Sequence, residues 1–176
     1  CNGLSAETVD KLFKIKGRSD KKPISLMVSG KEAFSKYGEQ VPRQALALAD
    51  KFWPGPLTII VKAAVGIPLN VRAGGDTIGL RCPAQKLTQE LLAECELPLA
   101  VPSANPSGLP SPISAQQVME YFSGKIDAVI DGGKCEFGIE STVISVAQTP
   151  FKILRRGAIG EDEVADCLVE DMKLIG

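Results

Sequence analysis

Twelve residues combine small hydroxyl and amide side chains with rigid spacers: Val101-Pro-Ser-Ala-Asn-Pro-Ser-Gly-Leu-Pro-Ser-Pro112. Proline cannot donate to a sheet ladder and biases the residue before it toward extended backbone. The apolar run Leu97 to Val101 reads as a buried strand ending at Pro102, so this stiff loop holds Ser103, Asn105 and Ser111 beyond a strand's carboxyl end. Ligands bind there in open α/β sheets. A proline-rich surface connection is the other reading.

Three further places offer cations or hydroxyls. Lys16-Gly17-Arg18, with Lys22 just beyond, can grip a polyphosphate while the backbone approaches closely. A solvated basic turn after a helix fits the same residues. On Thr77-Ile-Gly-Leu-Arg81, alternation puts Thr77, Gly79 and Arg81 on one face. An arginine in an apolar strand needs a partner, either a bound carboxylate or a structural Asp or Glu. Finally, Ser141 sits where the glycine-containing stretch Gly138-Ile-Glu-Ser-Thr-Val-Ile144 enters a strand, and Arg155 where the next strand leaves.

The elements that would position these groups alternate early and cluster late. A helix starts at Ser5, its N-cap, with Leu4 placed to staple onto Val9, and Val9, Leu12 and Phe13 form its apolar stripe. Strands are predicted over Ile24 to Val28, Leu57 to Val61, Thr77 to Arg81, Leu97 to Val101, Ala128 to Ile130, Ser141 to Val146 and Phe151 to Leu154. Helices are predicted over Lys31 to Tyr37, from Pro42 in a first turn to Phe52, Leu87 to Cys95, from the Ser114 capping box to Phe122, and from Glu161 to Ile175. In the last of these, Val164, Cys167, Leu168, Met172 and Ile175 fall at helical spacing. Asp131-Gly-Gly133 reads as a turn. Strands and helices alternating early, then strands in succession, indicate a mixed α/β fold with a twisted sheet of mixed strand direction.

Composition narrows the chemistry. The chain has 176 residues, room for one domain, with 44% apolar and 23% charged residues. It contains no histidine, which excludes Ser-His-Asp and Cys-His nucleophile systems. Five scattered cysteines without a Cys-x-x-Cys pair argue against a zinc site and fit a reducing cytoplasm. No apolar run reaches the roughly 20 residues of a membrane span. A net charge of −1 gives no bulk attraction to nucleic acid, so any anion site must be a local cluster. Neither a P-loop nor a Gly-x-Gly-x-x-Gly pattern is present.

Six motifs in order resemble the YrdC-like family, the L-threonylcarbamoyladenylate synthases: Lys-Gly-Arg, Pro-Gly-Pro-Leu-Thr, Leu-Arg-Cys-Pro, Pro-Ser-Ala-Asn-Pro-Ser-Gly, Glu-Ser-Thr-Val-Ile and Leu-Arg-Arg-Gly-Ala. The resemblance runs from about Cys1 to Ala158. It implies a single domain over 1–176, with flanking helices and a twisted sheet around a deep, positively charged cleft. It further implies a cytoplasmic nucleotidyltransferase that joins L-threonine, bicarbonate and ATP, with Mg2+ carried by the ATP, into threonylcarbamoyl-AMP and pyrophosphate. The product passes to a complex that modifies an adenosine of tRNA.

Residue by residue, the resemblance implies that Lys16 and Arg18 hold ATP phosphates. It makes Lys22, Thr77, Val101 (through its backbone), Ser103, Asn105, Ser111 and Arg155 nucleotide contacts. Arg81 would take the threonine carboxylate and Ser141 would contact threonine. Two departures are expected to matter. The family's Pro-Thr-x-Thr-x-Tyr-Gly-Leu segment, part of the threonine pocket, falls before the first residue here, so a truncated N-terminus is expected. The extra C-terminal domain of longer members is also expected to be absent. Two other readings remain. One is a double-stranded RNA or tRNA-binding module using a basic cleft, which near-neutral charge and 5% aromatics disfavour. The other is the carbamoyl-adenylate domain of a carbamoyltransferase, which occurs in much longer chains.

Overall fold

A computed structural model describes residues 1–135 and 139–173. Along the chain it forms α1 (Ala6–Lys16), β1 (Leu26–Met27), α2 (Ala33–Tyr37), β2 (Gly38–Glu39), α3 (Arg43–Phe52), β3 (Leu57–Ala63) and β4 (Thr77–Arg81). These are followed by α4 (Lys86–Cys95), β5 (Leu99–Ala100), α5 (Ala115–Phe122), β6 (Thr142–Ser145), β7 (Lys152–Arg155) and α6 (Glu161–Lys173). The strands make one sheet in the order β5-β1-β4-β3-β6-β7. Pairs β1–β4 and β3–β6 are parallel, while β1–β5, β3–β4 and β6–β7 are antiparallel. Strand β2 pairs antiparallel with Lys62 and Ala63, continuing the ladder past the point where β6 stops.

Register sorts the side chains onto two faces. Ile59 stands opposite both Leu80 and Ile144, and these join Leu57, Val61 and Ile78 in the core. Helices α1, α3 and α6 close that face with Val9 and Phe13, Ala45, Leu48 and Ala49, and Val164 and Cys167. The opposite face follows from the same alternation. It carries Thr58 on β3, which is opposite Val143 on β6, and Gly79 and Arg81 on β4. Arg155 on β7 pairs with that same Val143. Continuing the β3–β4 register beyond Ile59 and Leu80 brings Arg81 level with Thr58. This row, polar on every strand but β6, where Val143 stands, crosses β4, β3, β6 and β7 in about three strand spacings, roughly 14 Å.

Both expected caps form. Ser5 accepts from the Thr8 amide and Ser114 from the Gln117 amide. Several strands are shorter than their apolar runs, because a ladder ends where its partner ends: only Leu26–Met27 and Leu99–Ala100 of the two longer stretches pair. Pro42 serves as N-cap of α3 and not inside its first turn. Ala128 to Ile130 is not a strand. It finds no ladder partner among the described residues, and Ile130 is exposed. Strand β2, built from a glycine and a glutamate, carries no apolar pattern by which the sequence could announce it. Gly138 and Ile175 lie outside the described residues, as does the Met172 side chain. No helix among the described residues is long and apolar enough to cross a membrane.

Candidate functional site

The C-terminus of α1 sets the first half of the site. Gly17 adopts the left-handed conformation with φ 59°, and the amides of Gly17 and Arg18 return to the carbonyls of Lys14 and Phe13, closing the helix. This reversal sends Lys16 and Arg18 in different directions. The Lys16 ammonium donates to the carbonyl oxygens of Ser103 and Asn105. The Lys16 carbonyl in turn accepts from the Ser107 amide at 2.8 Å. Helix α1 and the proline-rich loop are thus joined through both the side chain and the backbone of one residue. An ammonium has three donors, so one remains for a ligand.

Burial, and then the Arg18 charge, lower the Lys16 ammonium to about 8. Asn105 is buried; its Nδ2 donates to the Leu109 carbonyl, while its Oδ1 has no partner among the described residues. Val101 donates from its amide to the Ser25 carbonyl at 3.2 Å, fixing the start of the loop beside β1.

The second half lies on the polar face of the sheet. The Arg155 guanidinium donates through Nε to the Ser141 carbonyl at 3.0 Å and through Nη2 to the Ser141 hydroxyl at 2.9 Å. Its Nη1 pairs with Glu140. The Ser141 hydroxyl lies 2.9 Å from that of Thr58, and both residues are buried. Burial, and then the Arg155 charge, hold Arg81 below the usual arginine range. Arg18 is lowered by burial and partly restored by Glu140. Glu140 therefore pairs with Arg155 and lies near enough for its charge to act on Arg18, as the charge of Arg155 acts on Arg81. This chain of influences joins the two halves.

The structure brings together Lys16, Arg18, Arg81, Ser103, Asn105, Ser141 and Arg155, with the Val101 backbone at the margin. Lys22 is exposed and closes a turn through its amide onto Ser19. Thr77 stands opposite Lys62, four residues from Arg81 and so about 13 Å along β4. Ser111 is exposed. No hydrogen bond or ion pair among the described residues ties Lys22, Thr77 or Ser111 to the cluster. Sequence reasoning gives no role of their own to Thr58 and Glu140, although both fall inside the motifs Pro-Gly-Pro-Leu-Thr and Glu-Ser-Thr-Val-Ile. Thr58 carries a signal of its own, a hydroxyl on the alternate face of a strand otherwise reading Leu57, Ile59, Val61.

Five buried polar side-chain atoms lack a partner among the described residues, and three of them, Arg18 Nε, Arg81 Nε and Asn105 Oδ1, belong to this cluster. Buried groups of this kind are normally satisfied, and two guanidinium donors with one amide acceptor suit an outside molecule bearing acceptors and a donor. Two other depressions lie elsewhere. One of about 420 Å³ is lined by Met119, Phe122, Ile126 and Val129, and one of about 410 Å³ by Lys62, Val65 and Arg72. The convergence of cations and orphaned atoms marks the site better than cavity size does. No group of acids, cysteines or histidines among the described residues could hold a metal ion.

Comparison with known proteins agrees with the fold. The Sua5–YciO–YrdC family model, described as "Telomere recombination", matches residues 1–157. The threonylcarbamoyl-AMP synthase of Pyrococcus abyssi is 38% identical over 96% of this chain and 50% of its own length. That of Bacillus subtilis is 34% identical over 93% of this chain and 47% of its own. The chain spans about half the length of these relatives. The crystal structure of P. abyssi Sua5 complexed with L-threonine superposes with a TM-score of 0.93 at 38% identity, over 95% of this chain and 49% of that one. E. coli YciO, at 22% identity and TM-score 0.81 over 93% of this chain and 79% of its own, shares the fold.

Proposed function

This chain belongs to the Sua5/YciO/YrdC family, and we propose that it is a nucleotidyltransferase making threonylcarbamoyl-AMP and pyrophosphate from L-threonine, bicarbonate and ATP. The observation carrying this reading is the set of orphaned atoms on Arg18, Arg81 and Asn105 around one cluster of cations. The P. abyssi relative's name and its complex with L-threonine support it. The product serves a tRNA-modifying complex in the cytoplasm.

Each residue has a task. The threonine amine, unprotonated, takes up bicarbonate with loss of water to give a carbamate. A carbamate oxygen then attacks the α-phosphorus and pyrophosphate leaves. Arg81 pairs with the threonine carboxylate and Ser141 contacts the amino acid. Lys16, Arg18 and Arg155 hold phosphate oxygens where charge builds in the transition state; one such donor contributes on the order of 100-fold in rate. Val101, Ser103, Asn105 and Ser111 form the nucleoside loop, with Lys22 and Thr77 as outer nucleotide contacts. Mg2+ arrives as part of the nucleotide substrate. Transfer at phosphorus by positioning and electrostatics needs no protein nucleophile, consistent with a chain without histidine. Mass spectrometry of the nucleotide formed from the three substrates tests this reading. A threonylcarbamoyl-AMP peak supports it, and ATP recovered unchanged overturns it.

A further inference from the structure

The hydroxyl of Thr58 is buried on β3, and among the described residues its single hydrogen-bond contact is the Ser141 hydroxyl at 2.9 Å. A buried hydroxyl hydrogen without an acceptor is costly. Either hydroxyl can donate to the other, and each choice leaves one hydrogen unpaired; with a substrate acceptor beside Ser141, the arrangement in which Thr58 donates and Ser141 donates onward pairs both. Arg155 Nη2, which can only donate, is the second donor to that oxygen at 2.9 Å. Both lone pairs of Ser141 are then occupied, and its own hydrogen has no other acceptor among the described residues.

The surroundings hold this arrangement still. The Ser141 carbonyl is fixed by Arg155 Nε, and the next residue donates from its amide to the Pro56 carbonyl at 3.0 Å. A Cβ added at Gly79 would lie 3.2 Å from Thr58 Cγ2 and 2.8 Å from Ser25 Oγ, so Thr58 is packed from the neighbouring strand as well.

We infer that Thr58 is a positioning residue: it sets the polarity of Ser141, so that Ser141 donates to a hydrogen-bond acceptor of the substrate. This rests on the activity proposed above. The acceptor is an oxygen, either a carboxylate or hydroxyl oxygen of the amino acid or a phosphoryl oxygen of the nucleotide. Without Thr58 the Ser141 hydrogen is no longer directed outward, and it can turn back into the space where Thr58 donated.

The test compares wild type, T58V, T58S, S141A and the T58V/S141A double variant. Calorimetric binding of L-threonine and of ATP is measured alongside KM for each in pyrophosphate release. Valine keeps the strand's shape and removes the donor, whereas serine restores it. The expected result is a three- to tenfold rise in Kd and KM of one ligand in T58V, recovery in T58S, and no further effect of T58V once Ser141 is alanine. The ligand affected identifies whether the acceptor belongs to the amino acid or the nucleotide. Melting curves show whether T58V folds; if it does not, T58S against T58A gives the same comparison. Wild type that binds and turns over both ligands, with T58V equal to it, overturns the inference alone. So does a T58V loss that persists undiminished in the S141A background. Wild type that binds neither ligand overturns the activity reading and the inference together.

Discussion

Arg155 holds Ser141 at two points, the guanidinium Nε on the carbonyl oxygen and Nη2 on the hydroxyl, at 3.0 and 2.9 Å. A planar fork that spans backbone and side chain of one residue fixes the strand entrance that carries it. Lysine offers a point charge in its place. R155K should keep the charge and lose the grip, reducing pyrophosphate release by on the order of 10- to 100-fold with little change in melting temperature. Steady-state kinetics beside a thermal melt measure both, and full activity would contradict the role.

Arg18 has a buried Nε without a partner among the described residues and spends Nη2 on the Pro23 carbonyl. Arg18→Ala should lower ATP-dependent turnover by on the order of 100-fold through loss of phosphate contact. Unchanged pyrophosphate release would reject the assignment.

Lys16 titrates in the folded protein at about 8, below the ordinary 10.5. It is charged below that point, so KM for ATP should rise as pH passes upward through about 8. K16R, permanently charged, should flatten the rise. The stability effect has the opposite sense. Between about 8 and 10.5 the unfolded chain holds a proton that the folded chain has lost, so this group adds stability as pH rises through that window. ATP titrations from pH 7 to 9.5 check the first statement, and urea melts over the same range and up to pH 10.5 check the second.

Glu140 pairs with Arg155 and bears on Arg18, placing an acid against two of the cations assigned to phosphate. A triphosphate must compete with that carboxylate. E140Q should therefore lower KM for ATP, by only a few-fold because the pair is about half exposed and screened. A higher KM would mean that Glu140 helps to orient Arg155.

Gly157 lies against the backbone from Glu140 to Thr142, where an added Cβ would collide with the Glu140 carbonyl oxygen and the Ser141 carbonyl carbon. Backbone cannot step aside as a side-chain tip can. G157A should destabilise the fold by about 1–3 kcal/mol and lower activity together, read by urea denaturation and pyrophosphate release. A variant of wild-type stability would contradict this packing.

The sheet's two faces are legible in the sequence because alternation is local: Thr77, Gly79 and Arg81 share a face opposite buried Ile78 and Leu80. Caps at Ser5 and Ser114 are legible for the same reason, a side chain reaching an amide three residues on. Cross-strand neighbours are not. Thr58 meets Ser141 across 83 positions of sequence, and only the β3–β6 register brings them together. Glu140 reads in the sequence as part of a motif, and its pairing with Arg155 depends on the β6–β7 hairpin. The converse error at Ala128 to Ile130 has the same origin, since a short apolar run says nothing about whether a partner strand is within reach.

On the proposed reading, cations from the end of α1, from β4 and from β7 converge on one amino acid and one nucleotide. Pyrophosphate release, followed while L-threonine, bicarbonate and ATP are each withheld in turn, addresses that directly. Release that needs all three and collapses in R81A at ordinary threonine concentration is the predicted result. Release that persists without threonine, or that R81A leaves untouched, would contradict a shared pocket.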